Sequence, residues 1–445
     1  MDTPIRDFVQ NYSKRDALRA HMPGHKGTNF LGIENIDITE IDGADDLFHA
    51  DGIIARSEKN ASNLFGADTF YSTEGSSLSI KTMLFLAVKY ATANGLNTTI
   101  LAGRNAHKSF LNAAALIGFE VKWLSQENDT YLSCDVSAEN LNSVLSDDKN
   151  KPCAVYLTSP DYLGNTVDIK AIADVCKAQN VLLLVDNAHG AYLKFLTPSL
   201  HPIDLGATMC CDSAHKTLPA LTGGGYLHVA KNAPPFFRNN VKNAMSLFGS
   251  TSPSYLILQS LDAVNEYIFN GYKEKLAQTV LLINQLKKEL KEYGYSLIGN
   301  ERLKITLDVK KYGYTGYQFN ELLKEKDVYV EFYDPDYIVF MLTPETSSKD
   351  LDRLKKVLLS IDKKEPLTTT HIKLRLPQKA LSIRDAVLSP AETICINSAK
   401  GRIISGETVA CPPAVPIIVS GEIIDEKVLE LFNYYGVKTC SVIKK

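Results

Sequence analysis

Several things are scarce or missing in this chain, and each absence excludes a class. Its eight cysteines, Cys134, Cys153, Cys176, Cys210, Cys211, Cys395, Cys411 and Cys440, form no CxxC pair and no metal-ligand spacing. A disulfide scaffold and a structural zinc module are therefore excluded, and the thiols are expected to be reduced and mostly buried. No run of about 18 apolar residues occurs, which removes a membrane span. The start, Met1-Asp-Thr-Pro-Ile-Arg-Asp7, carries acids where a secretory leader would be apolar, so a cytoplasmic location is expected. Neither charge dominates: 48 Lys and Arg stand against 51 Asp and Glu, a net charge of -3. No overall field draws nucleic acid or anionic lipid, so a charged substrate must be recognised locally.

What is present is an ordinary globular composition, 45% hydrophobic and 22% charged, which excludes disorder and fibrous architectures. At about 100 to 200 residues per domain, 445 residues predict two to four domains. An N-terminal arm is expected over 1–51. From there to 253, short β-rich runs (Thr98–Ala102, Ala154–Thr158, Val181–Val185, Ala207–Cys211, Tyr226–Val229) alternate with amphipathic stretches, predicting βαβ units and a mainly parallel sheet. A long helical pattern from Tyr255 to Tyr293, interrupted near Gly271, leads into a small α/β domain ending at about 365, with helices over Gly316–Lys326 and Ser348–Ile361. A polar stretch, Lys363 to His371, is the linker candidate, and 366–445 is expected to be a separate C-terminal module.

Four segments at predicted strand ends could carry chemistry. Asp186 closes the run Val181-Leu-Leu-Leu-Val185, at the carboxyl edge where open α/β sheets bind ligands. A turn-capping role would explain a lone Asp equally well. Lys216 follows another apolar run, in Ser213-Ala-His215-Lys216, ahead of the glycines ending at Gly225. Burial beside a His favours the neutral amine that a Schiff-base lysine needs. Gly75, Ser76 and Ser77 open an apolar helix, offering amides, hydroxyls and a helix dipole to a phosphate, although an ordinary serine cap reads the same way. His107 follows a strand, where a flat ring could stack on an aromatic cofactor or merely cap a helix.

The order of these segments, phosphate cup, His, carboxylate, lysine, resembles the aspartate-aminotransferase-like, fold-type-I architecture of pyridoxal 5′-phosphate (PLP) enzymes. More narrowly, the chain is similar to the bacterial Orn/Lys/Arg decarboxylase family, in its short arginine decarboxylase form. The resemblance rests on His21-Met-Pro-Gly-His25-Lys-Gly27, Asp45-Asp46-Leu-Phe-His49, Gly75-Ser76-Ser77, Arg104-Asn-Ala-His107-Lys108-Ser109, Ser213-Ala-His215-Lys216, Gly249-Ser-Thr251-Ser252-Pro253-Ser-Tyr255, Gly401-Arg402-Ile403, and Pro412-Pro413-Ala-Val-Pro416-Ile with Gly421-Glu422.

The resemblance implies that Lys216 carries the cofactor, Asp186 keeps its ring nitrogen protonated and His107 stacks on the ring. Ser76, Ser77 and Ser213 would hold the phosphate beside Gly75, with His215 and His189 near the lysine. Thr251 or Ser252 would reach the phosphate of a neighbouring subunit, so a dimer or larger homo-oligomer is implied. The implied reaction is decarboxylation of arginine, lysine or ornithine, with arginine slightly favoured, in polyamine supply or acid resistance. Acids of the arm (Asp42, Asp45, Asp46) and Glu422 or Glu407 are candidate acceptors for the substrate's basic tail. The sequence departs from the family where D-E-A-H-G reads Asp186-Asn187-Ala188-His189-Gly190, where P-P-G reads Pro412-Pro413-Ala414, and where P-G-E reads Ser420-Gly421-Glu422. Two rivals are an aminotransferase or aldolase-type lyase on the same sheet, and a catalytically silent homologue that regulates a partner.

Overall fold

A computed structural model describes residues 1–124, 130–147, 150–368, 375–406 and 414–444. The chain divides into two compact units, Met1–Thr98 with Asn150–Tyr156 and Ile169–Lys275, and Thr99–Lys149 with Leu157–Asp168 and Leu276–Lys445. Up to residue 269, the elements are α1 (Pro4–Ser13), α2 (Ile53–Phe65), β1 (Asp68–Ser72), α3 (Gly75–Ala93), β2 (Ile100–Ala102), α4 (Lys108–Ile117), β3 (Val121–Trp123), α5 (Ala138–Asp147), β4 (Ala154–Thr158), α6 (Ile169–Ala178), β5 (Leu182–Asp186), α7 (Pro202–Leu205), β6 (Met209–Asp212), α8 (Ala214–Thr217), β7 (Gly225–Val229), α9 (Pro235–Ser246) and α10 (Tyr255–Phe269).

Seven strands form the large sheet, in the order β1-β7-β6-β5-β4-β2-β3. The expected parallel pairing holds for β5 with β6 and β2 with β3. β7 departs from it, lying antiparallel to both β6 and β1. β5 and β6 read Leu-Leu-Leu-Val-Asp and Met-Cys-Cys-Asp, near-continuous apolar runs of the kind that suits strands covered on both faces. The helix α3 packs on β6 and β7 and buries residues all round, from Leu78 and Ile80 to Leu86 and Ala87. Such a helix sits inside a core and shows no single apolar stripe.

Within the first unit the N-terminal arm is anchored. The Asp262 carboxylate of α10 accepts from the backbone amides of Ile5 and Arg6 at 2.9 and 3.0 Å, fixing the start of α1. Asp45 is buried and accepts from the amides of Gly52 and Ile54 at 2.9 and 3.0 Å, so it starts α2 and is already engaged.

The second unit continues with α11 (Tyr272–Glu292), β8 (Ser296–Ile298), β9 (Lys304–Asp308), α12 (Gly316–Lys324), β10 (Phe332–Tyr333), β11 (Tyr337–Met341) and α13 (Ser348–Leu359). Its antiparallel sheet has the order β10-β11-β9-β8. Thr315 with Gln318 and Ser347 with Asp350 form capping boxes, which explains why α12 and α13 start where the sequence predicts. Gly271, at φ +91, separates α10 from α11. The rest of the chain holds α14 (Ile383–Leu388), β12 (Ala391–Cys395), α15 (Glu426–Tyr434) and β13 (Thr439–Ile443), around a core that includes Ile404, Ile418, Ile424, Phe432 and Val442.

Also in this unit, Arg104 and Glu422 form a buried ion pair at 3.0 Å. The guanidinium donates to the carbonyls of Pro416 and Ile417, both at 3.3 Å, and lies over the Trp123 ring. Burial raises the Glu422 carboxyl above its usual range, and Arg104 opposes that shift. Removing one partner of such a pair strands the other charge, at a cost of about 3 to 5 kcal/mol. Arg104→Met is therefore expected to lower the urea midpoint of unfolding substantially. An unchanged midpoint would show that the pair contributes nothing.

Candidate active site

The site grows from the carboxyl ends of β5 and β6. These adjacent parallel strands end in Asp186 and Asp212, so their following loops leave from one edge. Backbone bonds tie the two loops together, from the Asn187 amide to the Cys211 carbonyl at 3.0 Å and from the Ser213 amide to the Ala188 carbonyl at 3.3 Å.

Asp186 is buried. It accepts from the Tyr156 hydroxyl at 3.1 Å and from the Ala188 amide at 3.2 Å, with the Cys211 thiol at 3.6 Å. Burial raises its carboxyl above the ordinary range, and the Lys216 charge is the first of the effects that oppose this. Lys216 lies in α8, directly after β6, and its Nζ is 2.8 Å from His189 Nε2. Asp186, His189 and Lys216 thus share one end of the sheet.

The cup forms where α3 begins. The Ser213 hydroxyl donates to the Ser76 hydroxyl at 2.9 Å, so the loop that carries Lys216 also touches the first turn of this 19-residue helix. Gly75 has φ +62, and its amide donates to the Gly223 carbonyl at 2.6 Å. A Cβ on Gly225 would come within 2.8 Å of the Gly75 carbonyl carbon. Close backbone approach at Gly225, and a left-handed φ of +98 at Gly223, therefore account for glycine at these two positions after Lys216. His215 Nδ1 lies 2.8 Å from the Gly224 carbonyl oxygen, and its Cε1 is 3.5 Å from where a Gly75 Cβ would stand. Glu74, the residue before α3, makes no side-chain cap and accepts from the Ser250 amide at 2.7 Å.

Ser77 lies half-buried in the first turn of α3, and Thr251 and Ser252 are exposed just after Ser250. His107 belongs to the second unit and caps α4, its Nδ1 accepting from the Ser109 amide at 3.1 Å. Of the candidates for a substrate's basic tail, Asp45 is engaged as a cap and Glu422 by Arg104. Glu407 lies outside the described residues, as do Cys411, Pro412 and Pro413.

Sequence reasoning missed the layer behind Asp186 and Lys216. Asp212 accepts from the Asn187 side-chain amide at 2.7 Å and from His201 Nε2 and His228 Nε2, each at 3.1 Å. Its only signals were an acid ending an apolar run and a His inside a strand. Cys210 approaches the same group, but the Asp212 oxygens are already held by three N–H donors, and we read these residues as hydrogen-bond partners.

These residues fit PLP. A buried carboxylate suits a cationic ring nitrogen, an amine held beside a His suits the aldehyde, and hydroxyls at the start of a long helix suit the phosphate.

A family model for the Orn/Lys/Arg decarboxylase major domain matches residues 3–306. The chain belongs to the Orn/Lys/Arg decarboxylase family. Arginine decarboxylase of Bacillus subtilis is 29% identical over 96% of this chain and 92% of its own length. Arginine decarboxylase of Halalkalibacterium halodurans is also 29% identical, over 95% of this chain and 91% of its own. The structure of the E. coli constitutive lysine decarboxylase superposes with a TM-score of 0.79, covering 100% of this chain and 82% of that one at 16% identity. Membership in the Orn/Lys/Arg decarboxylase family makes the protein a carboxy-lyase. The same likeness supports the fold-type-I α/β architecture read from the sequence. Among the described residues, no helix is long and apolar enough to cross a membrane.

Proposed function

We propose that the protein decarboxylates a basic L-amino acid, with arginine favoured, using PLP held by Lys216. The observation that carries this reading is the meeting of Lys216, His189 and buried Asp186 at the ends of β5 and β6, beside the Ser76–Ser213 cup. The near-full-length likeness to two arginine decarboxylases favours arginine. Bound there, PLP would supply the electron sink that lets the α-carboxyl leave as CO2.

The chain's own residues would do the rest. Asp186, ionised, would hold a proton on the ring nitrogen, and burial strengthens that pairing. Ser76, Ser77 and Ser213, with the α3 amides, would take the phosphate. Lys216, released when substrate arrives, would return a proton to the substrate α-carbon, helped by His189 or His215. His107 would stack on the ring, and Thr251 or Ser252 would serve the phosphate of a neighbouring subunit in a homodimer or larger assembly. The expected setting is the cytoplasm.

The test incubates purified protein and PLP with each of the twenty amino acids and measures CO2 and amine. Arginine, followed by lysine or ornithine, should lead. A keto acid in place of CO2 would point to a transaminase, and no product from any basic amino acid would contradict the reading.

A further inference from the structure

Behind Asp186 and Lys216 lies a buried polar group that the chemistry above does not use. Asp212 is fully buried, and its two oxygens take three donors. Asn187 directly follows Asp186, and Asp212 comes four residues before Lys216. The 2.7 Å bond from the Asn187 amide to Asp212 therefore joins the ends of the two strands that present the site. Room for the amide is made by Gly190, where a Cβ would stand 2.0 Å from Asn187 Oδ1.

The protonation of this group follows from its partners. His201 Nδ1 is buried with no partner among the described residues, so the ring's one hydrogen bond in this group is the one from Nε2 to Asp212. His228 Nδ1 pairs with the Thr69 hydroxyl at 2.9 Å, and burial lowers that imidazole below its usual range despite Asp212. Burial alone would raise Asp212, but the imidazoles and their hydrogen bonds outweigh it and hold the carboxyl below the ordinary range. Asp212 is thus held as the acceptor at the centre of this group. The other groups facing it are Tyr226 from β7 and Cys210 and Cys211 from β6, all pushed up by burial. Lys194, which acts on His228, is paired to Asp204 at 2.6 Å.

We propose that Asn187 and Asp212 are positioning residues for the Asp186–Lys216 pair, locking the ends of β5 and β6 through a donor that carries no titratable proton. The inference rests on Lys216 being the cofactor lysine. Its consequence is a site geometry that does not depend on pH through this bond, because an amide donates at every pH.

The test is Asn187→Asp, which keeps the shape but sets two carboxylates face to face. Like charges at that distance cannot both ionise, so a proton must restore the bond. That shared proton gives the folded variant a carboxyl pKa above the unfolded value. The stabilisation is then present below the unfolded pKa and is lost as pH rises through the folded one. The cofactor-free variant should melt close to wild type at acid pH and progressively below it as pH rises. Visible absorbance of Lys216-bound PLP, per folded protein, should fall by about tenfold per pH unit above that pKa.

The exchange Asn187→Asp with Asp212→Asn returns donor and acceptor in swapped order and should restore both profiles to the wild-type shape. A single variant with wild-type profiles would overturn the proposal. So would a melting profile that moves while cofactor absorbance per folded protein does not, since the bond would then be structural only. If the single variant does not fold at any pH and the exchange does not rescue it, the pair is not the lock. The wild type is read first: if it shows no Lys216-dependent absorbance, the cofactor assignment itself fails, which the melting profiles alone would not reveal.

Discussion

Lys216→Ala should lose activity toward every basic amino acid by on the order of 10^4-fold or more, because one side chain is asked both to carry the cofactor and to move a proton. Its melting temperature without cofactor should fall at neutral pH, because the Lys216 charge partly offsets the burial of Asp186, and the difference should shrink on acidification as that carboxyl is protonated. The variant should also lose the visible absorbance of protein-bound PLP. CO2 release within tenfold of wild type would mean that another group carries the chemistry. Comparing amine production, absorbance and thermal melting on one preparation separates lost chemistry from lost folding.

Asp186→Asn should move activity and stability in opposite directions. Activity should fall by on the order of 10^2 to 10^3-fold, the usual effect of deleting one electrostatic partner of the reacting centre. Stability of the cofactor-free protein should rise. Burial raises the Asp186 carboxyl, with Lys216 only partly compensating, so the fold is stabilised by keeping this group neutral. With the folded pKa above the unfolded one, that contribution is present at low pH and is lost as pH rises through the folded value. An isosteric neutral Asn escapes the loss, so the variant's advantage in melting temperature should appear at neutral pH and vanish on acidification. Equal melting temperatures at neutral pH would contradict this account of the site as a charge buried for function.

Part of this was legible in the sequence, for identifiable reasons. Ala154–Thr158 is the observed β4, and Asp186 and Lys216 stood out because each follows an apolar run that a buried strand requires. The capping boxes at Thr315 and Ser347 fixed two helix starts through local hydrogen bonds, which sequence spacing displays directly. The reversal of β7 was not legible, because a strand buried on both faces reads the same in either direction. β1 and the three-residue β3 were missed for lack of a sustained run. The Asp212 group was invisible because its partners come from three separate stretches, around 187, 201 and 228, that only the sheet brings together. Glu422 looked free to meet a basic substrate, since nothing in its neighbourhood in sequence announces Arg104, 318 positions away.

The central claim is the attachment of PLP to one particular lysine. Purified wild-type protein loaded with PLP, reduced with borohydride and digested, yields a cofactor-modified peptide that mass spectrometry can locate. The account predicts the modification on the Ser213-Ala-His215-Lys216 peptide, at Lys216. A modification at any other lysine, or none at all, would contradict it.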